Sequence, residues 1–151
     1  VLILGAGGAA RGVLGPILDK KPAMVFIANR TASKAVELAD LFEDMGNVEA
    51  GGYETLRGKQ FDLIINATAA SLQGEVPPLP DDIASESAAC YDMMYGDRPT
   101  AFMNWASQHG ISKVSDGLGM LVGQAAESFR IWRGVTPEVT PVIDSIRRNM
   151  T

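Results

Sequence analysis

Apolar residues fall along this chain in two rhythms. Short unbroken runs, Val1-Leu2-Ile3-Leu4, Met24-Val25-Phe26-Ile27-Ala28 and Phe61-Asp62-Leu63-Ile64-Ile65, carry almost no charge and read as strands buried on both faces, as in a parallel sheet. Between the runs, apolar residues recur at helical spacing. Val13, Leu14, Ile17 and Leu18 predict a helix that Lys20-Lys21-Pro22 ends, and Ala35, Leu38, Ala39 and Phe42 predict an amphipathic helix over residues 33–43 that Gly46-Asn47 ends. Val48-Glu49-Ala50 suits a short third strand before the Gly51-Gly52 break, with a weak helical turn at Glu54-Thr55-Leu56. Strand and helix alternate, which predicts an α/β fold: a Rossmann-like, doubly wound, mostly parallel sheet with helices on both faces.

The second half continues the pattern. Residues 73–80, with three prolines, read as a surface loop. Ala88-Ala89-Cys90-Tyr91 makes a fifth strand ending in Asp92-Met93-Met94-Tyr95, and Thr100 is placed to cap a helix with Phe102, Trp105, Ala106 and His109 on one face. Residues 111–114 form a sixth strand that leads into Asp116-Gly117-Leu118-Gly119-Met120. The helix that follows is expected to turn Leu118, Leu121, Val122 and Ala125 inward, with Phe129 and Trp132 extending the stripe. A last helix begins at Thr140-Pro141 and sets Val139, Val142, Ile143 and Ile146 at helical spacing, an apolar face that needs a partner.

Composition narrows the class. A chain of 151 residues is one domain, long enough to bury roughly two-thirds of its unfolded surface. A net charge of −5 with scattered basic residues argues against a nucleic-acid surface, and no run approaches the roughly 20 apolar residues of a membrane span. One cysteine, Cys90, and one histidine, His109, leave no internal disulfide and no metal cluster of usual spacing, which suits a reducing cytoplasm. Cys90 has no basic neighbour in sequence and reads as a small core residue, and His109 as a helix C-terminal residue. The chain opens inside a strand and without methionine, so another domain is expected to precede it.

The chemistry gathers where strands end. Gly5, Gly7 and Ala10 fit the G-x-G-x-x-G/A spacing: the first allows the sharp turn, the second admits a pyrophosphate against the backbone, and the third lets the helix pack on the strand. The N–H groups at the helix start, with the positive end of its dipole, then face the phosphates. Such a turn also occurs where a helix merely packs on a sheet; the buried strand before it and the amphipathic helix after it favour the dinucleotide. About 20 residues on, where a carboxylate would hold the ribose 2′-hydroxyl of NAD, stand Asn29-Arg30-Thr31 and then Lys34. A guanidinium fork, a hydroxyl and an ammonium suit a 2′-phosphate, which predicts NADP over NAD. Asn66 and Thr68, after the fourth strand, are expected to aim their polar groups into the cofactor crevice, and Gln124 is a polar exception on an apolar helix.

Assembled, these pieces resemble the C-terminal, NADP-binding domain of the shikimate dehydrogenase family over nearly the whole chain: Gly5-Ala6-Gly7-Gly8-Ala9, Asn29-Arg30-Thr31 with Lys34, Asn66-Ala67-Thr68, Tyr91-Asp92-Met93-Met94-Tyr95, and Asp116-Gly117-Leu118-Gly119-Met120-Leu121 running into Gln124-Ala125. The resemblance implies NADPH-dependent reduction of 3-dehydroshikimate to shikimate, a step toward aromatic amino acids. It implies that Met93 and Gly117 line the nicotinamide end and that Tyr95 and Gln124 reach the substrate. It also places the catalytic Lys and Asp in an N-terminal domain absent from this chain. None of Lys20, Lys21, Lys34, Lys59 or Lys113 matches the catalytic position, so no catalytic residue is expected here, and the fragment is expected to bind NADP(H) without turnover. One departure stands at Ala69-Ala70-Ser71-Leu72, where the family continues with serines and a glycine. Other readings are a quinate-type paralogue using NAD, against which Arg30 argues, and a dinucleotide sensor without chemistry, which has no use for Tyr95 and Gln124.

Overall fold

Each apolar run seen in the sequence becomes a strand, and every strand pairs in parallel. The computed structural model describes residues 1–150, with the side chain of Leu72 outside the described set. Six strands, β1 (Leu2–Leu4), β2 (Val25–Ala28), β3 (Val48–Gly51), β4 (Phe61–Asn66), β5 (Ala84–Asp92) and β6 (Lys113–Ser115), lie in the order β3-β2-β1-β4-β5-β6. The helices are α1 (Gly8–Leu18), α2 (Ala32–Asp40), α3 (Ala101–Gln108), α4 (Leu118–Arg133) and α5 (Thr140–Asn149). This is the doubly wound Rossmann order, and its ligand edge is at the C-terminal ends of the strands.

Side chains alternate between the faces of a strand, so one short run feeds two cores. Leu2, Leu4, Phe26, Ala28, Ile64 and Cys90 point to one face, under Phe102 and Ala106 of α3. Ile3, Val25, Ile27 and Ile65 point to the other, under Ala10, Leu14 and Leu18 of α1 and Ala35, Leu38 and Ala39 of α2. Burial on both sides is why these runs lack polar alternation.

Several expected boundaries move. α2 stops at Asp40, leaving Leu41 exposed, and a separate 3-10 turn follows at Glu43–Met45. β5 begins at Ala84 rather than at residue 88, because its pairing slips between Phe61↔Ala84 and Leu63↔Ala89. The extra residues include Ser85, Glu86 and Ser87, whose polarity hid the strand. β6 is Lys113–Ser115, so Lys113 lies in a strand; Ile111 is a buried residue ahead of it. Residues 73–80 are not a plain surface loop: a 3-10 turn spans Ala70–Gln73, Pro77 is buried, and Val76 and Leu79 pack on the core. The inward stripe on α4 fails beyond its first turns. Leu118 and Val122 are buried, but Ala125 is exposed, as are Phe129 at 46% and Trp132 at 78%. A helix of 16 residues runs about 24 Å, and only its start reaches the sheet's buried surroundings.

Where β4 and β5 end, the register closes on the pair Asn66↔Asp92, both fully buried. Asp92 Oδ1 accepts from Asn66 Nδ2 at 3.1 Å and from the Met94 N–H at 3.0 Å; Oδ2 accepts from Ser71 Oγ at 2.7 Å and Thr100 Oγ1 at 2.5 Å. Asn66 Oδ1 in turn accepts from Thr68 N and Thr68 Oγ1, at 3.2 and 2.7 Å. Asn66 therefore does not aim into the crevice, as the sequence suggested. Its polar atoms are satisfied inside the protein, because a buried amide without partners would be costly. Thr100, as expected, caps α3 by accepting from the Met103 N–H at 3.2 Å.

This interior can be probed at two positions. Asp92→Leu leaves the donors of Ser71, Thr100 and Met94 without their acceptor, takes from Asn66 one of its two, and is expected to lose at least about 2 kcal/mol of stability; an unchanged urea midpoint would contradict it. Burial pushes the Cys90 thiol up to about 11, so iodoacetamide at neutral pH is expected to label it only after unfolding. The thiol's contribution to stability is complete below the unfolded value of 9.0 and is lost as pH rises toward about 11, since only the unfolded thiol ionises in that window. A denaturation series across those pH values, with Cys90→Ala as reference, measures the slope.

Candidate functional site

Backbone geometry builds the site first. β1 leads directly into Gly5, whose φ of +104° is the left-handed region that favours glycine, and whose N–H donates to Ala28 O at 2.7 Å. A Cβ there would sit 3.1 Å from both Ala67 O and Thr68 Cγ2, so this turn is pressed against the loop after β4. Gly7 is the N-cap of α1, with no side chain capping the helix. A Cβ at Gly7 or Gly8 would meet nothing within 4 Å; the outer side of the turn is open, and Ala10 behind it is buried against the sheet. The positive end of α1 thus opens on free space, a cradle for an anion.

That space is a cavity of about 600 Å³. Gly5, Ala6, Gly7, Gly8 and Ala9 form one wall, Asn29, Arg30, Thr31 and Lys34 a second, and Ala67, Thr68 and Ala69 a third. No Asp or Glu is among these residues. Thr31 is the N-cap of α2, its hydroxyl making no capping bond; Asn29 Nδ2 donates to Thr31 O at 3.0 Å, and Lys34 lies within the first helical turn. Two exposed cations facing a helix N-terminus make a site for a multiply charged phosphate ligand. The phosphate-side residues picked out in the sequence are brought together.

Two residues without a sequence signature join them. An adjoining cavity of about 390 Å³ shares Asn29, Arg30, Thr68 and Ala69 and is bounded on its far side by Tyr53, Val76 and Pro77. Burial raises the Tyr53 pKa, and the positive charge of Arg30 acts in the opposite direction. The only available hint was an aromatic residue directly after the Gly51-Gly52 break. Arg11, in the second turn of α1, lines a further cavity of about 330 Å³ with Lys34 and Glu37.

The other sequence-picked residues are placed apart. Gly117 donates its N–H to Met94 O at 3.0 Å, and a Cβ on Gly117 would lie 2.1 Å from Met93 O. Met93 and Gly117 therefore meet at the ends of β5 and β6, in a contact that only glycine permits. Tyr95 is 39% exposed and lines another cavity, of about 580 Å³, with Ser71, Met94, Gly96 and Thr100. Gln124 is exposed on α4. Asp116, buried before Gly117, accepts from Leu118 N at 3.2 Å and from Arg147 Nη2 of α5; nothing in the sequence paired residues so far apart.

Another groove, about 930 Å³, lies at the opposite end of β4, β5 and β6, among Asp62, Ile83, Ser85, Trp105, His109 and Lys113. Its lining includes Gly110, in the turn that ends α3, but no helix N-terminus. His109 there packs against Trp105, ring centroids 4.7 Å apart and planes tilted by 35°, and has Nε2 3.4 Å from Asp81 Oδ1, remote from the cradle. Among the described residues no group of His, Cys, Asp and Glu is arranged to hold a metal ion, and no helix is long and apolar enough to cross a membrane.

Comparison with known proteins agrees with this layout. Residues 1–73 match the family described as Shikimate / quinate 5-dehydrogenase, and residues 117–147 match the Shikimate 5′-dehydrogenase C-terminal domain. A shikimate dehydrogenase (NADP(+)) of Cellvibrio japonicus is 61% identical over 150 residues, which are 99% of this chain and 54% of that protein. Among solved structures, an Ael1 enzyme from Pseudomonas putida superposes with a TM-score of 0.87 at 44% identity, covering 95% of this chain and 53% of that one. Shikimate 5-dehydrogenase from Thermus thermophilus, in complex with NADP(H) and shikimate, superposes with a TM-score of 0.78 at 33% identity, covering 97% of this chain and 54% of the other. The chain spans about half the length of the relatives it matches. Glycine cradle, basic tip, strand order and these matches together place the chain in the shikimate dehydrogenase family.

Proposed function

We propose that this chain is the NADP(H)-binding domain of a two-domain shikimate dehydrogenase, an oxidoreductase in which NADPH reduces 3-dehydroshikimate to shikimate on the way to aromatic amino acids. The observation that carries the reading is the cavity over α1, where Arg30, Thr31 and Lys34 stand beside the glycine turn and no carboxylate lines the wall. The C. japonicus relative is named as NADP-dependent, and the T. thermophilus structure holds both NADP(H) and shikimate.

Bound NADPH supplies a hydride from its nicotinamide. The chain's own residues bind and orient. The open N–H groups after Gly7 face the pyrophosphate, and Arg30 with Thr31 and Lys34 hold the 2′-phosphate. Thr68 contributes its position rather than its hydroxyl, which already donates to Asn66. Met93 and Gly117 form the nicotinamide end. Tyr95 and Gln124, exposed on this chain, are free to meet the substrate from the cofactor side of a cleft. Ketone reduction also needs a proton donor to the forming alkoxide. By family resemblance that Lys and its Asp partner belong to an N-terminal domain outside this chain, so this half binds and the other half completes the chemistry. A single buried thiol suits a reducing cytoplasm.

Calorimetric titration with NADP+ and NAD+ tests the reading. NADP+ is expected to bind more tightly. Arg30→Ala is expected to weaken NADP+ by about tenfold or more, the worth of a charge-assisted contact, and to leave NAD+ nearly unchanged. Equal affinities in the unmodified chain would refute the preference. In a second assay the purified chain is expected to bind NADPH yet oxidise no shikimate; enzyme-like turnover would place the proton donor within these residues.

A further inference from the structure

We propose that Arg147, on the last helix, is a positioning residue for the nicotinamide end of the cofactor site; the inference rests on the NADP reading above. α5 has no buried residue, and its apolar side chains are exposed at Val142 and half-buried at Ile143 and Ile146. Its Arg147 nevertheless reaches the ligand edge of the sheet, where Nη1 donates to Gly96 O at 3.2 Å and Nη2 to Asp116 Oδ1. The two acceptors belong to different loops. Gly96 follows β5 beyond Met93-Met94-Tyr95, and Asp116 follows β6 directly before Gly117.

The two loops already touch at their inner ends. Gly117 N–H donates to Met94 O at 3.0 Å, and Gly117 packs so closely on Met93 that a Cβ would fall 2.1 Å from its carbonyl oxygen. Contact that tight survives only if neither loop drifts by a fraction of an ångström. Arg147 ties their outer ends. A planar fork suits the task, since one guanidinium meets two acceptors in fixed relation, whereas an ammonium is a point charge without that geometry. Asp116 is held from the other side by the Leu118 N–H at 3.2 Å, so its buried carboxylate is shared between the first turn of α4 and the clasp from α5. Loss of Arg147 leaves that carboxylate without its cation and Gly96 O without its donor, and frees Gly117 to move away from Met93. The phosphate cradle, built from the turns after β1 and β2, the starts of α1 and α2 and the loop after β4, shares no residue with this clasp.

Titration with two probes separates the ends of the site. NADPH carries the nicotinamide, whose fluorescence rises when it is held in an ordered seat; adenosine 2′,5′-bisphosphate carries the 2′-phosphate and no nicotinamide. The unmodified chain is expected to bind both and to enhance NADPH emission. Arg147→Ala is expected to bind adenosine 2′,5′-bisphosphate within about twofold of the unmodified chain, to bind NADPH roughly threefold or more weakly, and to lose the enhancement. Arg147→Lys, which keeps a charge beside Asp116 but lacks the fork, serves as the folded control and is expected to recover thermal stability without recovering the enhancement. Equal weakening of both probes, unchanged NADPH emission in either variant, or no enhancement in the unmodified chain each overturns the positioning role. Failure of the unmodified chain to bind adenosine 2′,5′-bisphosphate overturns the NADP reading and this inference with it.

Discussion

The ligand edge of this fold depends on one buried carboxylate. Asp92 ends β5 with no exposure, and its oxygens accept from Asn66, Met94, Ser71 and Thr100. These donors come from the end of β4, the loop after β4, the loop after β5 and the cap of α3. A carboxyl group out of water is tolerable only when its oxygens are hydrogen-bonded, so burying Asp92 obliges four chain segments to converge. The convergence fixes where β4 and β5 release the chain, and so where Thr68 and Met93 stand relative to the glycine turn. Parallel strands alone would align the sheet without deciding the course of the loops beyond it.

Charge is then distributed to suit the ligand rather than the protein as a whole. The chain carries a net −5, yet the cavity over α1 is lined by Arg30 and Lys34 and by no acid. The helix N-terminus adds the equivalent of about half a positive charge. A phosphate at this edge meets a local field opposite in sign to the overall one. Glu37, beside Lys34 and Arg11 in the neighbouring cavity, marks where that positive patch gives way to the acidic remainder.

Much of this was legible in the residues, and what was not has specific causes. β1, β2 and the Leu63-Ile64-Ile65 stretch of β4 announce themselves because burial on both faces excludes polar residues. The glycine turn is visible because Gly5 alone can take φ +104° there, and Arg30 because it occupies the place of an expected carboxylate. The first part of β5 was hidden by Ser85, Glu86 and Ser87 at the slip in its pairing. Asn66 was misread because position along a strand shows that a side chain is near an edge, not which way its hydrogen bonds run; it faces Asp92, 26 residues away. Arg147 is 31 residues from Asp116, and local pattern carries no trace of such a pairing.

On α4 periodicity and burial part for a more general reason. Periodicity records that a helix has an apolar side, and that is a property of the sequence alone. Burial requires in addition a surface within reach of that side. Leu118 and Val122 meet one because Asp116 and Gly117 start the helix hard against the end of β5. Each later turn carries the stripe about 5.4 Å farther along the axis, and by Phe129 and Trp132 the side chains stand in solvent. The same stripe therefore means core at one end of the helix and exposed apolar surface at the other. The change between them is set by the length of the helix against the extent of the sheet, a comparison that no single stretch of residues contains.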